Sequence, residues 1–445
     1  MKRLQWKSIL ASLSVVGLLV FAFQNATPTI PTKVIFVSTK GNDKNSGTTA
    51  GRPIKTLMRA HEVAAALIKK HSSRVHLQVL IASGTYYGQS QNWSAIPRTG
   101  SLRILGASPK VKPLFDGRKD PREKRGDLSN FLYFSTTWAG RTNIEVANLH
   151  VRYYLEGISF AGPSRDKISE GITNNVVRNV SFRSIGDLYA DVYKITTDDD
   201  GDQKKTKRQG LAVIRLVNTK NSKFLGNDFI DINNDEDELQ HAFYVAHYSS
   251  NNLFEGNYFS NAKSGTTIKL RDYSNDNLIK HNVFEKYDPA AIEIWHCEKN
   301  ESSKKMRECT KPAGESRSYN TKEVKNIYRD GGAKLSILRE RNGNYNKTNV
   351  MPAGVYGLIE DTRNRSGYQV RTYRSNIPAY FGICPQSNDC ASANGSCFED
   401  GEGSTLLLCS SRTWVTCNSA ELGKVRSGKK CSKSKSGVYS WIKAS

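Results

Sequence analysis

The sequence predicts an all-β fold, a right-handed parallel β-helix with an N-terminal capping helix and a disulfide-rich C-terminal tail. Two observations support this prediction. Short segments repeat along the chain, and within each segment apolar and polar residues alternate. Alternation with a period of two residues is typical of β-strands, and repeats of roughly 20 to 50 residues indicate stacked units that cannot bury their apolar faces alone.

The repeat is clearest in TTIKLRDYSNDNLIKHNVF, which spans Thr266 to Phe284. Asn257 and Asn282 are 25 residues apart, and this offset places NNLFEGNYF on DNLIKHNVF. Asn227, in NSKFLGNDF, lies a further 30 residues back. NVVRNVSF and NIEVANLHV are weaker, earlier copies. About three short strands per unit predict that each repeat is one coil of a β-helix.

The chain divides into four regions. Residues 1–26 carry Lys2, Arg3 and Lys7 before an apolar stretch, the order found in a secretory signal peptide, and an uncleaved anchor is the alternative. Residues 33–330 form the β-helix, and its N-terminal cap includes an amphipathic helix from about Ile54 to Lys70. Residues 331–380 are terminal coils or a small β-module, and residues 381–445 are a cysteine-rich region. We therefore expect a secreted protein, extracellular or periplasmic, that is monomeric and has no stable membrane span after cleavage.

The eight cysteines agree with export, because an even number in an exported chain indicates disulfides. We expect Cys297 and Cys309 to form one bond, which closes a basic loop at one wall of the site described below. Six cysteines allow 15 pairings, so the connectivity of the tail stays open. Zinc is the rival interpretation, but the chain has no C-x-x-C pair. The tail contains Cys384, Cys390, Cys397, Cys409, Cys417 and Cys431.

The net charge of +23 comes from 65 basic and 42 acidic residues. Such a surplus attracts anions over a long range, so nucleic acid, anionic lipid and acidic polysaccharide are all candidate partners. Export and disulfides argue against nucleic acid as the main partner. A basic solvated surface without any partner is the alternative.

Stacking the coils predicts which side chains are neighbours. The 25-residue offset places Phe243 and Val245 beneath Ile268 and Leu270, all facing inward. Successive coils lie about 4.8 Å apart, so the outward residues between them form a column. A salt-bridge ladder is one interpretation of this column, and a sugar-binding groove is the other. The column consists of Arg215, Tyr244, Lys269 and Glu293, and it is flanked by His241, His247, Arg271, Trp295 and His296.

The run VSTKGNDKNSGTTAGRPIKTLMRA, together with GTYYG, resembles the N-terminal cap of exported parallel β-helix proteins of the pectate-lyase-like superfamily. The resemblance covers roughly residues 33 to 300 and implies the fold. That fold hosts lyases, hydrolases, epimerases and adhesins, so it does not decide the activity.

The segment TTIKLRDYSNDNLIKHNVF resembles the catalytic coil of polysaccharide lyase family six, whose members cleave alginate and dermatan-type polymers. This resemblance implies that Lys269 is the base of a β-elimination. The family places an arginine on the following coil, where this chain has IEIWH with Glu293, and its Asn/Glu calcium cluster is not visible in this sequence.

β-Elimination needs a group that neutralises the uronate carboxylate, a base and an acid. Arg271 is the candidate for the first role, and His241 with Tyr244 offers a second acid–base pair. We expect Arg215, His247, Glu293, Trp295 and His296 to bind the substrate, with Ca²⁺ as a possible cofactor held by Glu293 and Asp272. The acidic runs TDDDGDQ and DINNDEDELQH are solvated loops or calcium sites.

The sequence therefore predicts a secreted lyase acting on alginate, pectate or a glycosaminoglycan. A non-catalytic carbohydrate-binding or adhesin protein is the first alternative. A glycoside hydrolase or epimerase is the second, although a hydrolase needs two carboxylates about 5 to 9.5 Å apart, and no outward Asp–Asp pair is visible.

Overall fold

The fold is a parallel β-helix built from three long parallel sheets, as the sequence predicts. The structure is a computed structural model. It describes residues 29–197, 201, 203–235, 239–295, 318 and 321–337, and the short strands within 407–443. After the first strand, which belongs to sheet 1 alone, each coil contributes one strand to each sheet, so strands that are neighbours in a sheet belong to successive coils.

Sheet 1 contains β1 (Thr32–Val37), β2 (Arg74–Ile81), β5 (Thr99–Gly106), β9 (Ile144–Ala147), β13 (Val176–Arg178), β19 (Lys223–Leu225), β22 (Leu253–Glu255), β25 (Leu278–Lys280) and β28 (Lys322–Val324). Sheet 2 contains β3 (Thr85–Tyr87), β6 (Leu114–Asp116), β10 (His150–Arg152), β14 (Ser181–Ile185), β20 (Asp228–Ile232), β23 (Tyr258–Ala262), β26 (Val283–Tyr287) and β29 (Ile327–Arg329). Sheet 3 contains β4 (Gln91–Trp93), β7 (Asn130–Ser135), β11 (Glu156–Ala161), β17 (Ala212–Val217), β21 (His241–Ala246), β24 (Ile268–Leu270), β27 (Ala290–Ile294) and β30 (Ala333–Ile337).

Smaller elements decorate the coils. A fourth, short parallel sheet contains β8 (Gly140–Arg141), β12 (Ile172–Thr173) and β18 (Thr219–Lys220). A 3-10 turn covers Ile168–Glu170. An antiparallel hairpin joins β15 (Tyr193–Thr197) to β16 (Gln203–Lys207). The C-terminal region contains β31 (Leu407–Ser410), β32 (Thr413–Thr416), β33 (Val425–Arg426), β34 (Lys429–Lys433) and β35 (Tyr439–Lys443), all paired antiparallel.

The capping helix α1 spans Leu57–Lys70, so it starts three residues later than the sequence predicts. The reason is that Ile54 forms a parallel bridge with Val37, and Thr56 then caps the helix by accepting a hydrogen bond from the backbone N–H of Arg59. The helix buries Leu57, Ala60 and Ala64 in the same hydrophobic core as the first coils, which covers the open end of the cylinder.

Stacked aromatic rings fill the cylinder behind sheet 2. Neighbouring ring centroids in this column are 4.7 to 5.2 Å apart, and their planes are nearly parallel. Such offset stacks add to the stabilisation from burial and fix each coil over the last. The column runs through Phe182, Phe229, Phe259, Phe284 and Tyr328.

A ladder of buried asparagines holds the turn between sheets 1 and 2. The Oδ1 of Asn257 accepts from the backbone N–H of Asn227 at 3.1 Å, and its Nδ2 donates to the carbonyl of Phe224 at 3.0 Å. Asn282 and Asn326 repeat the arrangement on the next coils. Each amide therefore satisfies backbone groups that the turn would otherwise leave unpaired inside the protein.

The predicted register is confirmed. Phe243 pairs with Ile268, and Val245 pairs with Leu270, all fully buried. Strand β30 continues sheet 3 beyond residue 330, as one more coil. Within the part of the chain that the structure describes, no helix is long and apolar enough to cross a membrane. The N-terminal segment 1–26 and the predicted disulfide of Cys297 and Cys309 lie outside the described residues.

Candidate functional site

The outer face of sheet 3 carries the predicted column. Arg215 on β17 pairs with Tyr244 on β21, Tyr244 pairs with Lys269 on β24, and Lys269 pairs with Glu293 on β27. Parallel pairing at about 4.8 Å per coil brings these four side chains together from segments that are far apart in sequence. We define the candidate site as this column together with Arg271 and Trp295.

A local irregularity in β21 adds His241 to the same face. Ala242 and Phe243 are consecutive, yet both lie in the hydrophobic core. Two successive inward residues break the alternation, so His241 lies on the outer side with Tyr244, and their rings stack with centroids 5.8 Å apart. Ala291 and Ile292 repeat the pattern in β27, which places Ala290 and Glu293 outward.

Lys269 and Glu293 form an ion pair. The Nζ of Lys269 lies 3.4 Å from Oε2 of Glu293, and the two side chains are 13% and 11% exposed. The hydroxyl of Thr266 donates to the same Oε2 at 2.8 Å. The carboxylate is therefore held from two directions, and it fixes the position of the ammonium.

Arg271 lies between an aromatic ring and a carboxylate. Its guanidinium carbon is 4.2 Å from the ring centroid of Trp295, close enough for a strong cation–π contact, and 5.9 Å from that of Tyr244. Its Nε donates to both oxygens of Asp272, at 3.1 and 3.0 Å. The ammonium of Lys269 lies 5.6 Å from the centroid of Trp295, so one indole faces both cations.

His241 is almost fully buried, and its surroundings fix one tautomer. Its Nδ1 lies 2.6 Å from the carbonyl of Thr266, and because a carbonyl only accepts, Nδ1 carries the proton. Burial, together with the charges of Lys269 and Arg271, lowers the pKa of His241 to about 3. The imidazole is therefore neutral at pH 7, with an unprotonated Nε2. Its part in catalysis stays a prediction, because a buried ring does not reach the solvent-facing groove directly.

His247 lies at the turn that follows β21, among three arginines. Burial lowers the pKa of His247 to about 4, and the charges of Arg165, Arg271 and Arg215 contribute. The lowered pKa indicates that the charges of these three arginines all act on the imidazole of His247. The Nδ1 of His247 is 3.7 Å from Asp272, too long for a hydrogen bond.

The two carboxylates predicted as metal ligands do not suit calcium in this arrangement. Glu293 is bound by Lys269 and Thr266, and Asp272 is fully buried against Arg271. Calcium takes six to eight oxygen ligands, but these oxygens are already engaged by hydrogen-bond donors. Among the described residues, no three His, Cys, Asp or Glu side chains are grouped to hold a metal ion. A calcium site elsewhere stays a prediction.

The predicted residues come together with one exception. Arg215, Tyr244, Lys269, Glu293, Arg271 and Trp295 share one face, with His241 and His247 beside it, whereas His296 lies outside the described residues. Three further residues of this face, Arg165, Tyr133 and Ser159, were not predicted from the sequence. Tyr133 and Ser159 continue the column below Arg215, and strict alternation in NFLYFS and EGISFA would have shown both as outward.

No protein-family model matches the chain, and a search of curated proteins finds no match. Among solved structures, the chain is similar to a rhamnogalacturonan lyase, with 15% identity, a TM-score of 0.25, and coverage of 57% of this chain and 82% of that one. It is also similar to a GH136 lacto-N-biosidase from Eubacterium ramulus, with 11% identity, a TM-score of 0.32, and coverage of 67% of this chain and 51% of the other, about half its length. A PL6 family polysaccharide lyase from Pseudopedobacter saltans gives 12% identity and a TM-score of 0.24, with 58% and 72% covered. These values are too low to indicate a shared activity.

Proposed function

We propose that the protein is a polysaccharide lyase that cleaves an anionic, uronate-containing polymer by β-elimination on the outer face of sheet 3. The observation that carries the proposal is the grouping of Arg215, Lys269 and Arg271 around Tyr244 within two coil steps. Three cations, a phenol and the indole of Trp295 on one half-buried face suit an acidic sugar chain.

The chemistry assigns a role to each group. A cation beside the uronate carboxylate neutralises its charge, so that the adjacent carbon gives up its proton more easily. A base removes that proton, its electron pair forms the carbon–carbon double bond, and the glycosidic oxygen leaves with a proton from an acid. Arg271 is the candidate for the first role, and Lys269 and Tyr244, which are paired on neighbouring strands, are the candidates for the other two.

The ion pair with Glu293 bears directly on the role of Lys269. The Nζ of Lys269 is held 3.4 Å from the carboxylate of Glu293, and a lysine acts as a base only in its unprotonated form. An approaching substrate carboxylate competes for the same cations and rearranges this pair. Tyr244, which lies between the cations of Arg215 and Lys269, is the alternative base, because positive neighbours stabilise a phenolate.

The ion pair of Lys269 with Glu293 also favours a second candidate function, which is binding of an anionic glycan without cleavage. Lys269 and Arg271 are each paired with a carboxylate that holds them in place, Glu293 and Asp272. Fixed cations next to the half-buried indole of Trp295 would bind an acidic sugar chain whether or not a proton is transferred.

One experiment separates the two candidates. The full chain is incubated with alginate, pectate, hyaluronan, chondroitin sulfate and heparin, and the unsaturated uronate product is followed by ultraviolet absorbance, with binding measured in parallel. Turnover of one polymer supports the lyase, and binding without product on every polymer supports the glycan-binding function.

Lys269→Ala should abolish turnover and leave the fold intact, because this outward side chain contributes little to the core. The matched control is Lys223→Ala, which removes an exposed lysine from β19 on sheet 1. Full activity in the Lys269→Ala protein would remove Lys269 from the mechanism.

A further inference from the structure

The outer face of sheet 3 continues beyond the candidate site into a second positively charged pocket. A depression of about 240 Å³ opens beside Arg215, on the side away from Lys269. Its polar walls are the side chains of Tyr133, Ser159, Arg165 and Arg215, which we call the arginine pocket. Its floor is formed by the small and apolar residues Ala161, Gly162 and Val217.

The chain builds this pocket from three coils and one loop. Tyr133 pairs with Ser159, and Ser159 pairs with Arg215, so these three stand in the same outward column as Lys269. Arg165 comes from the loop after β11. Asn218, fully buried, donates from Nδ2 to the carbonyls of Ser164 and Lys167, at 2.7 and 2.8 Å, and so fixes the loop on both sides of Arg165.

Arg215 has spare hydrogen-bonding capacity in the pocket. Its Nε is buried and has no hydrogen-bond partner, and no carboxylate among the described residues forms an ion pair with it. Glu156 interacts electrostatically with it, but that carboxylate is buried and accepts from the backbone N–H of Leu211 at 3.2 Å. Arg165 is 67% exposed and has only a 3.7 Å contact with Asp166.

We infer that the arginine pocket is a second anion subsite, which binds a carboxylate or sulfate of the same polymer two coils away from Lys269. This inference rests on the proposed polyanionic ligand but not on its cleavage. A guanidinium presents a planar fork of donors that matches an oxyanion, and the hydroxyls of Tyr133 and Ser159 supply further donors.

The geometry restricts the ligand. Arg215 and Lys269 are separated by two parallel pairings, so the two subsites lie about 10 Å apart along the cylinder axis. The polymer must therefore run along the axis and carry repeated negative charges. A glycan with a single charge at its end would occupy only one subsite, and a neutral glycan would occupy neither.

His247 follows β21, the strand that lies between the strands of Arg215 and Lys269. Its pKa is lowered to about 4 by burial and then by Arg165, Arg271 and Arg215, so cations from both subsites act on it. At pH 7 this imidazole is neutral and adds no further positive charge between them. Asp272 is the acidic group nearest to it, and Asp166 also acts on it.

The test is the binding of short and long alginate oligosaccharides to the full chain, by titration calorimetry, in the Lys269→Ala background so that nothing is cleaved. Arg165→Ala should weaken binding of the long oligosaccharide about tenfold, the loss expected for one charge-assisted hydrogen bond, and leave the short one unchanged. Arg215→Ala should weaken binding of the long oligosaccharide to a similar extent. If Arg215→Ala misfolds, Arg165→Ala still tests the proposal, because the side chain of Arg165 is exposed.

The matched control is Arg183→Ala, an exposed arginine on β14 of sheet 2 that lies on another face. Equal losses of affinity in Arg183→Ala and Arg165→Ala would mean that only the net charge of the protein matters. That result would contradict the proposed subsite. Unchanged affinity in both pocket variants, or no binding of any anionic polymer, would overturn it as well.

Comparing chondroitin sulfate with unsulfated chondroitin of equal length distinguishes sulfate from carboxylate, and a neutral glucan of equal length should not bind. Failure of the lyase is recognised separately, as binding without unsaturated product in the protein that retains Lys269.

Discussion

The ammonium of Lys269 lies 3.4 Å from the carboxylate of Glu293, its pairing partner on the next coil of sheet 3. Both side chains are largely shielded from water, so the pair costs desolvation, and its net contribution to stability is small. Its main effect is local, since it neutralises one cation of the candidate site and holds it beside Tyr244. An anionic substrate must compete with Glu293 for that cation.

Glu293→Gln should therefore tighten the binding of alginate severalfold. The substitution removes a negative charge that repels the polymer and releases Lys269, while the amide oxygen still accepts from Thr266. Affinity is measured by calorimetry at low and high salt, where the gain should shrink as salt screens the charges. The control is Glu145→Gln on sheet 1, and weaker binding in Glu293→Gln would mean that the carboxylate positions Lys269 for the ligand.

Arg271→Lys should weaken polymer binding roughly tenfold, although the charge is retained. A lysine ammonium cannot stack flat on Trp295 and bind Asp272 through a planar fork at the same time. Binding is compared with that of Arg178→Lys, a control on sheet 1 where the arginine pairs with Glu145. Equal affinity of the Arg271→Lys and unmodified proteins would show that only the charge at this position matters.

Acid should destabilise the protein through its buried imidazoles. The pKa of His247 is about 4 in the folded protein and about 6.5 in the unfolded chain, so between these values the unfolded chain binds more protons. Stability is thus lost as the pH falls from about 6.5 towards 4, by about 2 to 3 kcal/mol for this residue.

His247→Asn removes this contribution, and asparagine tolerates the left-handed backbone at φ 53°. Guanidinium unfolding of both proteins at pH 7 and at about pH 4 measures the difference. An unchanged pH dependence in the variant would show that His247 has the same pKa in the folded protein as in the unfolded chain.

Asn257→Ala should destabilise the protein by about 2 to 4 kcal/mol, because it leaves the backbone N–H of Asn227 and the carbonyl of Phe224 buried without partners. The exposed Asn92→Ala provides the control and should change the free energy of unfolding by about 0.5 kcal/mol or less. Thermal and denaturant unfolding report both changes. Similar small losses in the two variants would mean that water replaces the missing amide.

Much of this molecule is readable from its repeats. The 25-residue offset between Asn257 and Asn282 is the period at which one coil lies on the next, and it predicts the pairing of Lys269 with Tyr244. The inward residues of IEIW continue the column and predict the pairing of Lys269 with Glu293. Sequence can do this because a parallel β-helix repeats one local pairing rule, and a fixed register assigns every second residue to one face.

The same rule fails where the chain departs from it. Strict alternation places His241 inward with Phe243, and only the pair of successive core residues Ala242 and Phe243 turns it to the outer face. Arg165 lies in a loop that has no counterpart in the repeat, and buried Asn218 brings it to Arg215 from a different coil. The position of His241 beside the column was nevertheless predicted from the stacking of the coils, whereas the position of Arg165 has no signature in local sequence.

By itself, the sequence determined the fold class, the inward and outward columns, and the outward cluster around Lys269, because these follow from periodicity. Only the tertiary structure decided how the charges of that cluster are shared. It pairs Lys269 with Glu293 and Arg271 with Asp272, and it leaves Arg215 facing a pocket. The reason is that ion pairing and burial depend on distances between coils and loops, which are set by packing of the whole cylinder rather than by any one segment.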